Sequence, residues 1–190
     1  RFRGRVFMHD GAVAFYDYDR SVRAAPAVVR VAGLEGEADF ARVICLEPTT
    51  HQDTYDMVRE AFDVSERFRI PVMMRLVTRL AHSRGIVRIS GARTQNPVHK
   101  ATDRGAWILL PANARRQWRA LLDRQPEIDA YTAGSAFNTV TPGDAGAELG
   151  IITTGLARNY FFENLSELAV KPPHLHIGAY PYPAQTIRKF

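Results

Sequence analysis

Thr78, Arg79, His82, Ser83 and Arg84 form the densest cluster of functional side chains in the sequence. A guanidinium can grip a carboxylate or phosphate through two parallel hydrogen bonds. Histidine can donate to a carbonyl, or exchange protons with it, near neutral pH. Together these side chains suit an anionic oxoacid, a diphosphate or the phosphate of a coenzyme. The same composition also describes an ordinary solvated loop that pairs with Asp or Glu across an interface, and composition alone favours that plainer reading. Thr153-Thr154-Gly155 is a second, sparser candidate, because backbone N–H groups at a helix N-terminus can hold an anion. More often such a glycine only permits a strand-to-helix turn.

Other chemistry is thinly represented. His174 and His176 alternate and so share one face of a strand, but no Asp, Glu or Cys stands at motif spacing to complete a zinc site, and no metal site is assigned. Cys45 sits inside the apolar run Val43-Ile-Cys-Leu46 and reads as a small buried strand residue rather than a reactive thiol. One cysteine can form no internal disulfide, and an iron–sulfur cluster usually needs about four thiolates. Asp17 and Asp19 read as a turn, Ser83 and Ser135 lack the context of a nucleophile elbow, and no Gly-rich phosphate loop ending in Lys-Ser/Thr occurs.

The elements that must position the cluster are clearest between residues 41 and 85. Val43–Leu46 is a short continuous apolar run, as expected of a strand covered on both faces. Thr50 followed by Asp53 matches a capping box and opens a helix in which Tyr55, Val58 and Phe62, with Met57, Ala61, Val64 and Phe68, fall near helical spacing. Ile70-Pro71 stops that helix, and Val72–Val77 is a second buried strand. A strand, helix and strand in this length make a βαβ unit with a parallel sheet. Ligands of such sheets bind at the carboxyl ends of the strands, which is where 78–85 falls as a polar loop.

The remainder is read more coarsely. Val6–Met8 and Ala12–Tyr16 are strands around Asp10-Gly11, and 27–32 is a further strand. Val87–Ile89 is a strand leaving the domain, and 91–105 is a polar connector. Pro111 opens a helix that runs toward Tyr131 despite Pro126, and 138–146 is a turn-dense boundary. A second βαβ unit follows, with Leu149–Thr154, a helix over 156–168 and Leu175–Ala179, before a last helix begins at Ala184. Two strands and one helix cannot cover both faces of a parallel sheet, so this second unit is expected to be completed by further residues or another chain.

The chain has 190 residues, room for one domain or two small ones, and is 46% hydrophobic, enough for a core. No apolar run approaches a membrane span, and the opening Arg1–Asp10 has no signal-peptide core. The first residue is not Met, which points to a start inside a longer protein. A single cysteine fits a reducing, cytoplasmic setting. The net charge of +5 raises nucleic acid as a partner, but the arginines are scattered and no nucleic-acid motif accompanies them. A basic surface equally suits an acidic protein or an anionic cofactor.

Several stretches together resemble a known family. Leu46-Glu-Pro48, Tyr55-Asp-Met57, Ala61-Phe62, Ser65-Glu66 and Pro71-Val72, followed by the loop from Arg75 through Arg84, form a first anchor. Leu110–Arg115 is a second. Leu149–Gly155 is a third, with Ala157, Asn159-Tyr160, Ile177-Gly178, Tyr180-Pro181, Pro183 and Ile187. In this order they resemble the large subunit of the indolepyruvate branch of the thiamine-diphosphate-dependent 2-oxoacid:ferredoxin oxidoreductases, over about residues 40 to 190.

The resemblance implies an α/β fold in three parts. Residues 1–90 would be the C-terminal part of a pyrimidine-binding domain, 91–146 a connector with a helix, and 147–190 the start of a transketolase-C-terminal-like domain. It implies a parent enzyme that oxidatively decarboxylates aryl 2-oxoacids to acyl-CoA. That enzyme would use thiamine diphosphate, Mg2+ and a 4Fe–4S cluster, with ferredoxin, coenzyme A and a small β subunit or fused equivalent as partners. Thr78, Arg79, His82, Ser83, Arg84, Thr154 and Gly155 become candidate substrate- or cofactor-binding residues, with no catalytic residue assigned. The sequence departs from the family over its first 36 or so residues. It also lacks the thiamine-activating glutamate, the Gly-Asp-Gly motif and the cysteine-rich motif, so this chain alone is expected to be inactive and to bind none of these cofactors. A degenerate, non-catalytic assembly or coenzyme-binding module is the alternative.

Overall fold

The computed structural model describes the backbone of residues 4–9 and 12–17, and residues 41–95, 97, 102–103, 105 and 108–190. Strands β1 (Gly4–His9) and β2 (Ala12–Asp17) form the antiparallel hairpin expected around Asp10-Gly11. The strand expected at 27–32 lies outside the described residues.

The first βαβ unit is present. Strands β3 (Ile44–Leu46) and β4 (Val72–Arg75) pair in parallel, with Ile44 opposite Val72 and Leu46 opposite Met74. Helix α1 (His51–Phe68) joins them. Its capping box forms as the sequence requires: the Thr50 hydroxyl accepts from the Asp53 N–H at 3.0 Å, and the Asp53 carboxylate accepts from the Thr50 N–H at 3.2 Å. The helix ends at Arg69, whose φ of 52° is left-handed.

The buried stripe of α1 runs through Met57, Ala61, Val64 and Phe68, while Tyr55, Val58 and Phe62 are only half-buried. The stripe meets Ile44, Leu46, Val72 and Met74, the residues of one sheet face under the two-residue period of a strand. Val43, Cys45 and Met73 occupy the opposite face.

The sheets are mixed, a correction to the parallel-only reading. The larger has the order β1-β2-β4-β3 and ends in β8 (Ala179–Tyr180), antiparallel to β3; β2 is antiparallel to β4. The smaller has β7 (His174–Ile177) between β5 (Asn138–Thr141), antiparallel to it, and β6 (Ile151–Thr154), parallel to it.

Four local readings change. Asn138–Thr141 is a strand rather than a turn, for its alternating Thr-Val-Thr residues pair along β7, and the turn residues begin at Pro142. The strand read at 175–179 divides at Gly178, with one half in each sheet. Residues 78–81 are not loop but a single helical turn, α2 (Thr78–Ala81). Val87–Ile89 joins no sheet. It lies along α1, where Gln52 Oε1 accepts from the Arg88 N–H at 2.8 Å and the Tyr55 hydroxyl accepts from the Ser90 N–H at 3.0 Å.

The helices after the connector follow expectation. Helix α3 (Pro111–Ala133) has Pro111 in its first turn and continues through Pro126. Helix α4 (Ala157–Asn164) with the 3-10 turn Leu165–Glu167 links β6 to β7, and α5 (Ala184–Lys189) follows β8. No helix among the described residues is long and apolar enough to cross a membrane.

Candidate functional site

Because β3 and β4 are parallel, their carboxyl ends open on one edge, and the segments that leave them, 47–51 and 76–85, lie there together. Leu80 is buried in the core and pins α2 in place; Thr78, Arg79, His82, Ser83 and Arg84 are exposed around it.

Two of the five are brought to partners. Arg79 Nη1 donates to the Tyr160 hydroxyl at 3.2 Å, with its guanidinium carbon 5.9 Å from the centre of that ring. Ser83 Oγ donates to the Leu80 carbonyl at 3.1 Å and lies 3.0 Å from His51 Nε2. Its proton is thereby directed to Leu80, and the hydroxyl accepts from His51, so the pair is arranged to hold the loop rather than to make a nucleophile. A side chain at Gly85 would strike the His51 ring, 2.4 Å from Nδ1, which is why the chain turns away with a glycine there. His82 and Arg84 remain exposed.

The second candidate lies against the first segment. Gly155 has φ +46° and rests on Glu47, whose Oε1 would lie 2.5 Å from a Cβ built on that glycine. Glu47 is almost fully buried. Its carboxylate accepts from the Tyr180 hydroxyl at 2.5 Å, and its other oxygen is 3.7 Å from Arg75 Nε. A buried carboxylate without partners is costly, so these contacts are a condition of the fold. Burial, and then the Glu47 carboxylate, raise the pKa of the Tyr180 phenol, which stays protonated and donates. Thr154 also bonds to Tyr180.

Next to this lies a second polar group. Arg158 Nη1 donates to Thr49 Oγ1 at 3.2 Å and is 3.9 Å from the Asp53 carboxylate, and Asn159 Nδ2 donates to the Thr49 carbonyl at 3.0 Å. Thr49 also donates to Asp53. These bonds join the start of α1 to α4. The Asp53 N–H in the first turn of α1 serves the capping box, where it donates to Thr50 Oγ1.

His174 and His176 do share a face, but the group between them is Thr153 Oγ1, 2.7 Å from His174 Nε2 and 3.4 Å from His176 Nδ1. Among the described residues no three His, Cys, Asp or Glu side chains are grouped as metal donors. Cys45 is buried, and its thiol is pushed up to about 12, chiefly by burial and then by Glu47. These residues do not fit an iron–sulfur cluster.

Reading the sequence for function missed Glu47, His51, Arg158 and Tyr180. Glu47 carried a signal, because an acid that directly continues the buried run Val43–Leu46 requires a partner. The partners, 28 to 133 residues away, carried none.

No family model matches the chain, and no solved structure does either. Curated proteins do. Over 157 residues the chain is 34% identical to the indolepyruvate oxidoreductase subunit IorA of Methanothermobacter thermautotrophicus, a match covering 80% of the chain and 25% of that protein. The IorA of Archaeoglobus fulgidus is 32% identical over 157 residues, covering 79% of the chain and 24% of that protein. That of Thermococcus kodakarensis is 31% identical over 163 residues, covering 80% and 25%. The chain thus spans about a quarter of the length of the curated relatives it matches. It is therefore an IorA-type segment, homologous along most of its length to one part of that indolepyruvate oxidoreductase subunit.

Proposed function

We propose that the chain is part of an enzyme that oxidatively decarboxylates aryl 2-oxoacids such as indolepyruvate to acyl-CoA, with ferredoxin as electron acceptor. The supporting observation is that the three sequence anchors occur, in order, in a chain 31–35% identical to six IorA subunits. On this reading 1–90 belongs to a pyrimidine-binding domain, 91–146 is a connector, and 147–190 begins a transketolase-C-terminal-like domain. Thiamine diphosphate, Mg2+ and the 4Fe–4S cluster belong to other parts of the enzyme, and a small β subunit or fused equivalent completes it. When bound there, thiamine supplies the nucleophilic carbon for decarboxylation.

This chain's contribution is recognition. Arg79 and Arg84 offer guanidinium groups to a carboxylate or phosphate at the edge where β3 and β4 end, and His82 offers a ring N–H. Thr78 and Ser83 add hydroxyls, and the Thr154-Gly155 turn borders the same edge through Glu47. Tyr160 steadies Arg79, and His51 steadies Ser83.

The test uses the complete enzyme carrying Arg79→Ala, His82→Ala and Arg84→Ala together. Hydrogen bonds to charged groups are worth about 1.5–3 kcal/mol each, so kcat/KM for the oxoacid or coenzyme A is expected to fall at least about tenfold. Unchanged kinetics would remove the site. A wild-type enzyme that reduces no ferredoxin with indolepyruvate would remove the function.

A further inference from the structure

Helix α4 closes on the edge where β3 and β4 end. Three successive residues of it bond the segments that leave those strands. Arg158 Nη1 donates to Thr49 Oγ1 at 3.2 Å, Asn159 Nδ2 donates to the Thr49 carbonyl at 3.0 Å, and the Tyr160 hydroxyl accepts from Arg79 Nη1 at 3.2 Å. The bonded pairs are 81 to 110 positions apart in the chain. Successive residues of an α-helix point about 100° apart, so these three span about 200°. One side of a helix cannot present that span, and α4 therefore meets the edge end-on, with its first turn. Phe161 follows and stacks on His174 of β7 with ring centroids 4.4 Å apart, which seats the same helix on the smaller sheet.

Arg79 gains a fixed position from this arrangement. It belongs to the single turn α2, whose one buried residue is Leu80, and a lone turn does not by itself orient a long side chain. The Tyr160 hydroxyl takes one of the five N–H groups of the guanidinium, and the phenol ring centre lies 5.9 Å from the guanidinium carbon. Because the bond comes from Nη1, the edge formed by Nε and Nη2 is left with the two parallel N–H groups that a bidentate oxyanion requires.

We infer, on the recognition role proposed for Arg79, that Tyr160 is a positioning residue for the anion site. It holds Arg79 with that edge presented, and Arg158 and Asn159 hold Tyr160 in place by anchoring α4 on Thr49. The later part of the chain thus sets the affinity of a site whose anion-binding groups lie in the earlier part. By linkage, an anion on Arg79 tightens the seat of α4 by the same factor. The ligand group is a carboxylate or phosphate, carried by the oxoacid or by coenzyme A.

Steady-state kinetics of the complete enzyme test this, with KM read separately for indolepyruvate and coenzyme A. Tyr160→Phe removes the hydrogen-bond acceptor and keeps the ring, whereas Tyr160→Ala removes both. KM for one of the two ligands is expected to rise about threefold in the first and about tenfold in the second, with kcat within about twofold. A rise for indolepyruvate assigns Arg79 to its carboxylate, and a rise for coenzyme A assigns it to a phosphate. Asn159→Ala, which removes no anion-binding group, is expected to raise the same KM about threefold. In an Arg79→Ala background neither Tyr160→Phe nor Asn159→Ala should add anything, because both act through Arg79; a merely structural effect would persist there. Suppose that Arg79→Ala raises a KM. Then an unchanged KM in Tyr160→Phe, a fall in kcat alone, or effects that add in the Arg79→Ala background would each overturn the positioning role and leave the recognition role standing. If Arg79→Ala changes neither KM, the recognition role fails and the positioning role fails with it.

Discussion

Thr153 has one hydroxyl proton and two imidazoles to satisfy. It donates to one ring and accepts from the other. His174 Nδ1 is buried without a partner, and a stranded N–H costs more than an under-used acceptor. His174 therefore carries its proton on Nε2 and donates to Thr153, which donates onward to His176 Nδ1. Burial, then Arg158, then His174 lower His176 to about 4 from 6.5, and burial followed by Arg158 lowers His174. In the unfolded chain both take up protons near pH 6.5, so stability is complete above that value and is lost as pH falls toward about 4. The loss from His176 is on the order of 2–3 kcal/mol. Urea midpoints between pH 7 and pH 4 should show it. His176→Asn, which keeps a hydrogen-bonding atom near Nδ1 but cannot charge, should flatten the profile; parallel profiles would refute the assignment. The spacing of two residues made the common face of these histidines legible. Their partner was not, because Thr153 stands beside His176 only through the parallel pairing of β6 with β7.

At the scale of elements, α1 was the most legible, since a capping box and a helical period are both local. What misplaced its buried stripe was the strap at 86–93, which contacts α1 through one polar row. Gln52, Tyr55 and Arg59 bond the backbone of Arg88, Ser90 and Gly91, and Arg93 returns to the Arg59 carbonyl and to Asp63. Side chains here do the work of a missing neighbouring strand, and alternating Val87-Arg-Ile89 cannot reveal that. Tyr55 is half-buried because its hydroxyl serves this row. The Tyr55→Phe variant loses the bond from the Ser90 N–H, worth about 1 kcal/mol net. Hydrogen exchange of peptides covering 86–93 should then accelerate about fivefold while the thermal midpoint of the chain hardly moves. Exchange unchanged at 86–93, or a large fall in midpoint, would show that the strap is held in another way.

On the scale of the whole molecule, two sheets must become one fold, and their junction is Gly178. Residues 174–177 pair in the smaller sheet, 179–180 pair with β3, and between them the Glu47 N–H donates to the Gly178 carbonyl at 2.8 Å. No side chain fits at 178, where a Cβ would lie 2.9 Å from the Phe137 carbonyl and 3.2 Å from Met57 Cε. Asn138 fixes this crossing from the first position of β5. Its Oδ1 accepts from the N–H groups of Gly178 and Ala179, both at 2.9 Å, and its Nδ2 donates to the carbonyls of Thr132 at 2.8 Å and Ala179 at 3.2 Å. One amide thus uses its full bonding capacity to join α3, the smaller sheet and the larger sheet. No reading of the turn-rich 138–146 could assign it that task, because three of the four bonds go to Gly178 and Ala179, 40 and 41 residues away. Removing the amide in Asn138→Ala leaves part-buried backbone groups unpaired and should cost about 2–4 kcal/mol. The loss should also divide the molecule. In the wild type, hydrogen exchange of the slowest amides in β3–β4 and in β6–β7 should report one common unfolding free energy. In the variant, β6–β7 should open first while β3–β4, with α1 packed on its core face, keeps its protection. Equal loss in both sheets would mean that the contacts of Glu47 with Tyr180 and of Arg158 with Thr49 suffice to hold them together.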